Sequence, residues 1–248
     1  MCKYGYCLLL SLLYYTASSQ IVRVENDGFS TDSTGWNGTV ELNINTVKNN
    51  SEFFRLATGS QLRYTQKASS YMSVNELRMV IAGPDNLENR GFQHFRFQHI
   101  VDSTFTIEAF SQAQFDEPLK IGVRLLQGVG VRTSLADTEK SQFYLGTAYM
   151  YEYEEEDETG IINRNSRISS YLTFNKELEK SNFHVVVYYQ PRVARFSDLR
   201  VSGRATLSFR IGKNLTFNVG GELIHDSNPV EGVTQLTYTT NSGFMWKF

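Results

Sequence analysis

A strict two-residue alternation of apolar and polar side chains is the feature that most constrains the fold of this chain. It is clearest from residue 199 to residue 211, where the odd positions are apolar or small and the even positions include Arg200, Arg204 and Arg210. Successive side chains of a β-strand point to opposite faces of the sheet, so this pattern predicts a strand with one apolar and one polar face. The stretch is also longer than most strands of globular proteins.

Alternating stretches of this kind recur along the chain, separated by Gly, Asn, Asp, Ser and Pro, and no long segment of helical periodicity accompanies them. The 14 Tyr and 17 Phe residues belong to types that strands favour. We therefore expect an all-β protein, an antiparallel up-and-down barrel of about twelve strands. The predicted strands are residues 37–47, 52–64, 70–82, 91–101, 104–115, 119–134, 141–153, 165–176, 181–190, 196–212, 214–226 and 234–248.

The choice between a membrane barrel and a soluble barrel depends on which face points outward. A soluble periplasmic ligand-binding barrel also alternates, with its apolar face inside, and it stays open as an alternative. Here the polar face repeatedly carries Arg and Glu in mid-strand, as expected of a packed polar lumen. Aromatic residues at strand ends favour interfacial girdles and hence a transmembrane barrel. The predicted girdle residues are Tyr149, Tyr151, Tyr153, Tyr171, Phe174 and Tyr189.

The N-terminal region has the features of a secretory signal peptide at residues 1–19. Lys3 precedes a short apolar core at residues 8–13, and small residues follow at a suitable cleavage position. Both cysteines lie in this segment, so the mature chain is expected to contain no disulfide. Residues 20–36 are then a periplasmic lead-in, and residues 37–248 form the barrel in the outer membrane of a Gram-negative cell.

The connections between predicted strands alternate between short turns and longer loops, as in membrane barrels with short periplasmic turns. The longer set includes residues 83–90, 154–164 and 227–233. One of these loops contains an acidic run from Glu152 to Glu158. We interpret that run as a solvated loop tip, with divalent-cation binding as the alternative.

Charged residues on the polar faces predict the lining of the lumen. They form either an anion-selective passage or an ion-paired plug, and the plug is favoured because buried charges need partners. The predicted lining residues are Arg55, Arg63, Arg124, Arg132, Arg200, Arg204, Arg210, Glu41, Glu108 and Glu222.

The last strand is rich in aromatic residues that share one face, namely Tyr238, Phe244, Trp246 and Phe248. A terminal strand ending in Phe resembles the signal by which the barrel assembly machinery recognises outer-membrane barrels. The expected partners are therefore that machinery during biogenesis, together with outer-membrane lipids and lipopolysaccharide. The 24 Lys and Arg nearly balance the 26 Asp and Glu, so no basic field indicates nucleic-acid binding.

Several short segments resemble the family known as domain of unknown function 481 (DUF481), the salt-induced outer-membrane proteins. The resemblance covers residues 35–248 and implies an outer-membrane barrel with no established catalytic residues. A Tyr usually stands in this family where the chain has His225. The segments are Gly35–Gly38, Asn49–Asn50, His225–Val230, Thr237–Thr240 and Gly243–Phe248.

An enzymatic alternative rests on His225, Ser227 and Glu231, whose order resembles outer-membrane lipid A deacylases. In such a lipid-modifying hydrolase, the histidine would act as base on the serine and the glutamate would orient it. Asp226, Ser227, Asn228 and the following proline are also ordinary turn residues, and this reading is favoured. We expect no enzyme activity, no cofactor and no metal, but a structural envelope protein or a narrow passage with a largely plugged lumen.

Overall fold

The computed structural model describes residues 34–48, 52–83, 85–213 and 215–246. Twelve β-strands account for most of these residues, and the predicted strand number and all-β class are confirmed. In the described ranges, no helix has the length and apolar character needed to cross a membrane. The strands are β1 (Gly35–Lys48), β2 (Glu52–Gln66), β3 (Ser69–Ala82), β4 (Asp85–Ile100), β5 (Phe105–Asp116), β6 (Ile121–Thr138), β7 (Ser141–Glu156), β8 (Ile162–Glu177), β9 (Ser181–Arg192), β10 (Arg195–Arg210), β11 (Leu215–Asp226) and β12 (Leu236–Trp246).

The strands form one sheet in chain order, and each strand pairs antiparallel with the next. Side chains from β4 through β12 line a common interior cavity, so the sheet curls around an enclosed space as a barrel does. Among the described residues, no ladder joins β12 to β1. The predicted signal peptide lies outside the described residues.

The outer surface of the barrel is apolar, as the alternation predicts. On β6, Val123, Leu125, Val129 and Val131 are 42–58% exposed, whereas Arg124, on the opposite face, contacts carboxylates inside. A continuous belt of exposed aliphatic side chains is unfavourable in water and typical of barrels that face lipid.

The barrel has two ends that differ in their connections. The tight-turn end carries the connections at residues 67–68, 101–104, 139–140, 178–180 and 211–214. The long-loop end carries those at residues 49–51, 83–84, 117–120, 157–161, 193–194 and 227–235, which include the two longest. At the tight-turn end, backbone N–H groups of Thr104 and Phe105 donate to the Asp102 carboxylate and lower its pKa.

Two predicted loops at the long-loop end prove to be mostly strand. The predicted loop 83–90 is wrong, because β4 begins at Asp85, and the predicted loop 154–164 shrinks to residues 157–161. In β4, Glu88 and Arg90 lie on the inner face and pair with each other at 2.7 Å. A strand whose inner face is charged has the composition of a loop, and only its two-residue period distinguishes it.

The start of β6 also differs from the prediction. Leu119 ends a short 3-10 helix (Glu117–Leu119), whose first turn is capped by Asp116 accepting a hydrogen bond from the Leu119 N–H at 3.1 Å. A β-bulge follows between Ile121 and Val123. Because a bulge inserts one extra residue and reverses the facing of what precedes it, Ile121 is buried in the interior and not on the outer face.

The interior is not wholly polar, contrary to the predicted lumen. Met72, Val74 and Phe92, from β3 and β4, form a buried apolar cluster on the inner face. This cluster fills space near β2 with packed side chains rather than water.

Candidate functional site in the barrel interior

The interior is crossed by a hydrogen bond between two non-neighbouring strands. Tyr171 on β8 is buried and pairs in register with Gly146 on β7. A Cβ atom at position 146 would overlap the Tyr171 ring, so the glycine allows the ring to lie against β7. The phenol hydroxyl then donates to the Glu108 carboxylate of β5 at 2.7 Å. We call this contact the Glu108–Tyr171 bridge.

The Glu108 carboxylate of the bridge has further partners. The Gln98 amide donates to it at 2.7 Å, and the Arg132 Nε lies 3.8 Å away. The Arg96 guanidinium lies 5.7 Å from the centre of the Tyr171 ring, within range of a cation–π contact. Side chains from β4, β5, β6 and β8 therefore meet here; Arg96, Glu108 and Tyr171 line one interior cavity, and Gln98 and Arg132 line another.

A dense cluster of charges lies toward the long-loop end. Glu152 and Glu154 on β7 are only 1% and 5% exposed. The Arg167 Nε donates to Glu152 at 2.8 Å, and Arg200 contacts both Glu152 and Glu154. Arg124 contacts the same two carboxylates from β6.

Two aspartates extend this cluster to the neighbouring strands. Arg200 Nε donates to Asp226 on β11 at 2.6 Å, and an Arg167 nitrogen lies 3.0 Å from Asp198 on β10. Every member of this set except Asp226 thus pairs with at least two groups of opposite charge, and Asp226 pairs with Arg200, as burial requires. We call the set the long-loop charge cluster; it consists of Arg124, Glu152, Glu154, Arg167, Asp198, Arg200 and Asp226.

The interpretation of the acidic run as a solvated loop is wrong for its first half. Glu152 and Glu154 belong to β7 and point inward, whereas Glu158 is exposed in the connection to β8. The run alternates Glu with Tyr at its start, so the two-residue period continued there even though the composition suggested a loop. In the described ranges, no group of three or more His, Cys, Asp or Glu residues is arranged to hold a metal ion.

The predicted lining arginines occupy different environments. Arg124 and Arg200 belong to the long-loop charge cluster. Arg63 and Arg132 line a cavity at the tight-turn end. Arg204 pairs with Glu222 on the adjacent strand.

Three predicted lining residues stand apart from these. Arg55 is exposed and borders an open depression beside β1. Arg210 is 59% exposed at the tight-turn end, where Glu177 lies 3.9 Å away. The side chain of Glu41 lies outside the part that the structure describes.

The predicted aromatic girdle includes one residue on the wrong face. Tyr149, Tyr151 and Tyr189 are exposed on the outer surface, but Tyr171 is buried inside. Positions 171 and 174 are three apart, so they cannot share a face of one strand. The alternation of β8 places Tyr171 with Arg167 and Ser169, all of them buried.

Sequence reasoning missed several interior groups. His94 and Arg96 are buried and alternate with exposed Phe95, whereas Phe92 of the same strand is buried inside, so the aromatic residues of β4 do not mark one face. The His94 ring contacts Gln112 at 2.9 Å, and Asp116 is almost completely buried. Arg167 and Asp198 were overlooked because their partners lie on other strands, which one strand's sequence does not reveal.

One cavity, which we call the long-loop cavity, lies at the long-loop end and has a volume of about 160 Å³. Its wall combines the charge cluster with apolar side chains such as Leu126 and Met150. Pro229, Val230 and Val233 of the 227–235 connection cover it. The second cavity, about 100 Å³, lies at the tight-turn end.

The residues of the enzymatic alternative do not form a catalytic arrangement. His225 lies on β11 opposite Val201 and Leu236, whereas the Ser227 hydroxyl accepts from the Leu199 N–H at 2.8 Å. The same hydroxyl donates to the backbone carbonyl of Ser197 at 3.0 Å. The serine thereby ties the end of β11 to β10.

The neighbouring residues agree with a turn. Asp226 accepts a hydrogen bond from the Asn228 N–H at 2.9 Å, which is a turn-forming contact, and Glu231 is exposed in the connection.

Of the predicted assembly residues, Tyr238 and Phe244 are each 70% exposed. The Trp246 side chain and Phe248 lie outside the described residues.

An apolar outer belt around a charged interior defines the class of protein: a twelve-stranded β-barrel of the membrane-spanning type. The chain belongs to the family described as "Protein of unknown function, DUF481", whose family profile matches residues 29–248. The resemblance seen in the sequence is thus confirmed.

Two solved porin structures are similar to the chain. The NanC porin shares 11% identity with a TM-score of 0.48, covering 86% of this chain and 98% of that one. The KdgM porin, solved in complex with disordered oligogalacturonate, shares 9% identity with a TM-score of 0.42, covering 83% and 98%. No curated protein matches the sequence.

Proposed function

We propose that this chain is a non-enzymatic outer-membrane barrel of a Gram-negative envelope, serving as a structural protein or a narrow passage whose lumen is largely plugged. The observation that carries the proposal is the long-loop charge cluster. Its arginines are directed at carboxylates from other strands, not at open water.

The energetics of buried charge support a plug over an open anion-selective lining. Arginines that line a water-filled pore keep their charge available to passing ions. In this barrel Arg200 contacts Glu152, Glu154 and Asp226, so its charge is compensated within the protein. The Glu108–Tyr171 bridge adds a second obstruction below the cluster.

The exposed apolar belt supports a location in the outer membrane, surrounded by lipids and lipopolysaccharide. Each strand pairs with its neighbours along the chain, and these ladders satisfy backbone hydrogen bonds between strands, which hydrocarbon requires. The exposed aromatic side chains of Tyr238 and Phe244 on β12 are available to the assembly machinery during biogenesis.

Cell fractionation tests this location. The mature chain is expected to sediment with outer membranes and to migrate faster on gels before heating than after, because a folded barrel resists detergent unfolding. Recovery of the folded chain as a soluble periplasmic protein would contradict the proposal and favour a ligand-binding barrel.

Ser227→Ala tests the enzymatic alternative. We expect unchanged envelope lipids by mass spectrometry and a loss of about 1–2 kcal/mol in unfolding free energy, because two hydrogen bonds to the β10 backbone disappear. His225→Ala is the matched control, since a hydrolase would lose activity in both variants. Fatty-acid release by the parent that both substitutions abolish would show that the barrel is an enzyme.

A further inference from the structure

The cavity at the tight-turn end differs from the rest of the interior in its charge. Arg63 of β2, Arg132 of β6 and Lys67 of the β2–β3 turn all line it, together with His184 of β9. No carboxylate is among the described side chains that line it. Three permanent positive charges, two from β2 and its following turn and one from β6, therefore border one cavity.

The surroundings of these cations differ from those in the long-loop charge cluster. Arg132 lies 3.8 Å from Glu108, but that carboxylate also accepts hydrogen bonds from Tyr171 and Gln98 and lines the other cavity. An Arg63 nitrogen lies 3.5 Å from the Met72 sulfur, and the Arg132 guanidinium lies 4.9 Å from the centre of the Tyr144 ring. The carboxylates of Glu108 and Asp137 contact lining residues from outside the lining, whereas the charged side chains within the lining are all cationic.

The remaining lining supplies uncharged hydrogen-bonding groups. Hydroxyls of Thr65, Ser70 and Thr106 and the amide of Asn175 border the same space. Arginine forks bind planar or tetrahedral oxyanions through paired N–H groups, and lysine binds them as a point charge. The volume of about 100 Å³ suits a small anion with a few bound waters.

We infer that this cavity is a binding site for a small oxyanion, a carboxylate or a phosphate, held by Arg63 and Arg132 with Lys67 at its mouth. This inference depends on the barrel fold, and it holds whether or not the barrel conducts ions. The cavity borders the β2–β3 turn at the tight-turn end, so the anion enters from that end.

Calorimetric titration of the detergent-purified barrel tests the site, with inorganic phosphate and gluconate as probes and glucose as the uncharged comparison. We expect saturable binding of at least one anion and none of glucose. Arg132→Gln should weaken that binding by about tenfold, the cost of one charge-assisted contact. Lys67→Gln, at an exposed turn position, should weaken it severalfold with no buried group disturbed.

Arg55→Gln is the matched control, because Arg55 lies on the same strand and the same face as Arg63 but outside this cavity. It removes the same charge and should leave binding unchanged. Equal weakening by Arg55→Gln and Lys67→Gln, or no saturable binding of either anion, would overturn the inference. Preference for phosphate or for gluconate identifies the ligand class. Binding is measured on the isolated folded barrel, so a wrong cellular location would leave the result unaffected.

Discussion

Glu152 contacts more arginines than any other carboxylate of the long-loop charge cluster. It is almost fully buried on β7 and contacts Arg124, Arg167 and Arg200. The inward direction of position 152 follows from the two-residue period of β7. The identity of its partners does not follow from that period. Arg200 lies on β10, three strands from β7 along the sheet, and the curvature that brings such distant strands together is a property of the whole sheet.

Glu152→Gln removes the shared charge while nearly conserving volume. We expect the unfolding free energy in lipid vesicles to fall by about 3 kcal/mol, because three buried arginines lose one partner and keep only the other carboxylates. Urea titration followed by tryptophan fluorescence measures the change.

Glu158→Gln is the control at residue scale, since Glu158 pairs with Lys120 in an exposed connection. Exposed ion pairs contribute at most about 1 kcal/mol. If the two substitutions cost the same, the cluster does not stabilise the barrel as described.

At the scale of the element, β10 shows how reliably alternation predicts facing. Leu207 pairs with Phe183 and Val219 of the adjacent strands, and the even positions Arg200 and Arg204 bind carboxylates inside. A regular strand can therefore be oriented from its sequence. The start of β6 could not be oriented, because a bulge adds a residue and leaves no mark in the apolar pattern.

Leu207→Arg tests the facing of β10. An arginine directed into hydrocarbon costs about 2–4 kcal/mol near the bilayer midplane, and less toward the interfaces. Ser208→Arg is the matched change on the opposite face and is expected to cost much less. Unfolding titrations of both variants in vesicles measure the difference, and equal costs would mean that the assigned facing is wrong.

At the scale of the whole molecule, we propose that the Glu108–Tyr171 bridge is a partition between the cavity at the long-loop end and the cavity at the tight-turn end. Sequence patterns predict the strand number and a polar inner face. They do not predict a partition, because Tyr171 crosses the interior only where Gly146 leaves room on the next strand. A glycine in register with an inward aromatic residue is the signal that could have indicated it.

Tyr171→Ala removes the ring that closes this partition. The unmodified barrel is expected to show little or no conductance in planar bilayers, and the variant a several-fold larger one, because the two cavities then connect. Tyr149→Ala, which removes an exposed tyrosine from the outer face, should leave the conductance unchanged. A large, steady conductance in the unmodified barrel would contradict the plugged interior.

The unequal charge of the two cavities has an electrical consequence. Acidic residues outnumber arginines in the lining at the long-loop end, whereas the charged residues in the lining at the tight-turn end are all cationic. The barrel therefore carries a fixed electric dipole along its axis. Once Tyr171 is removed, opposite voltages must drive unequal currents. The barrel without Tyr171 is therefore expected to rectify current in a planar bilayer. The voltage polarity that gives the larger current shows which end of the barrel faces each of the two chambers.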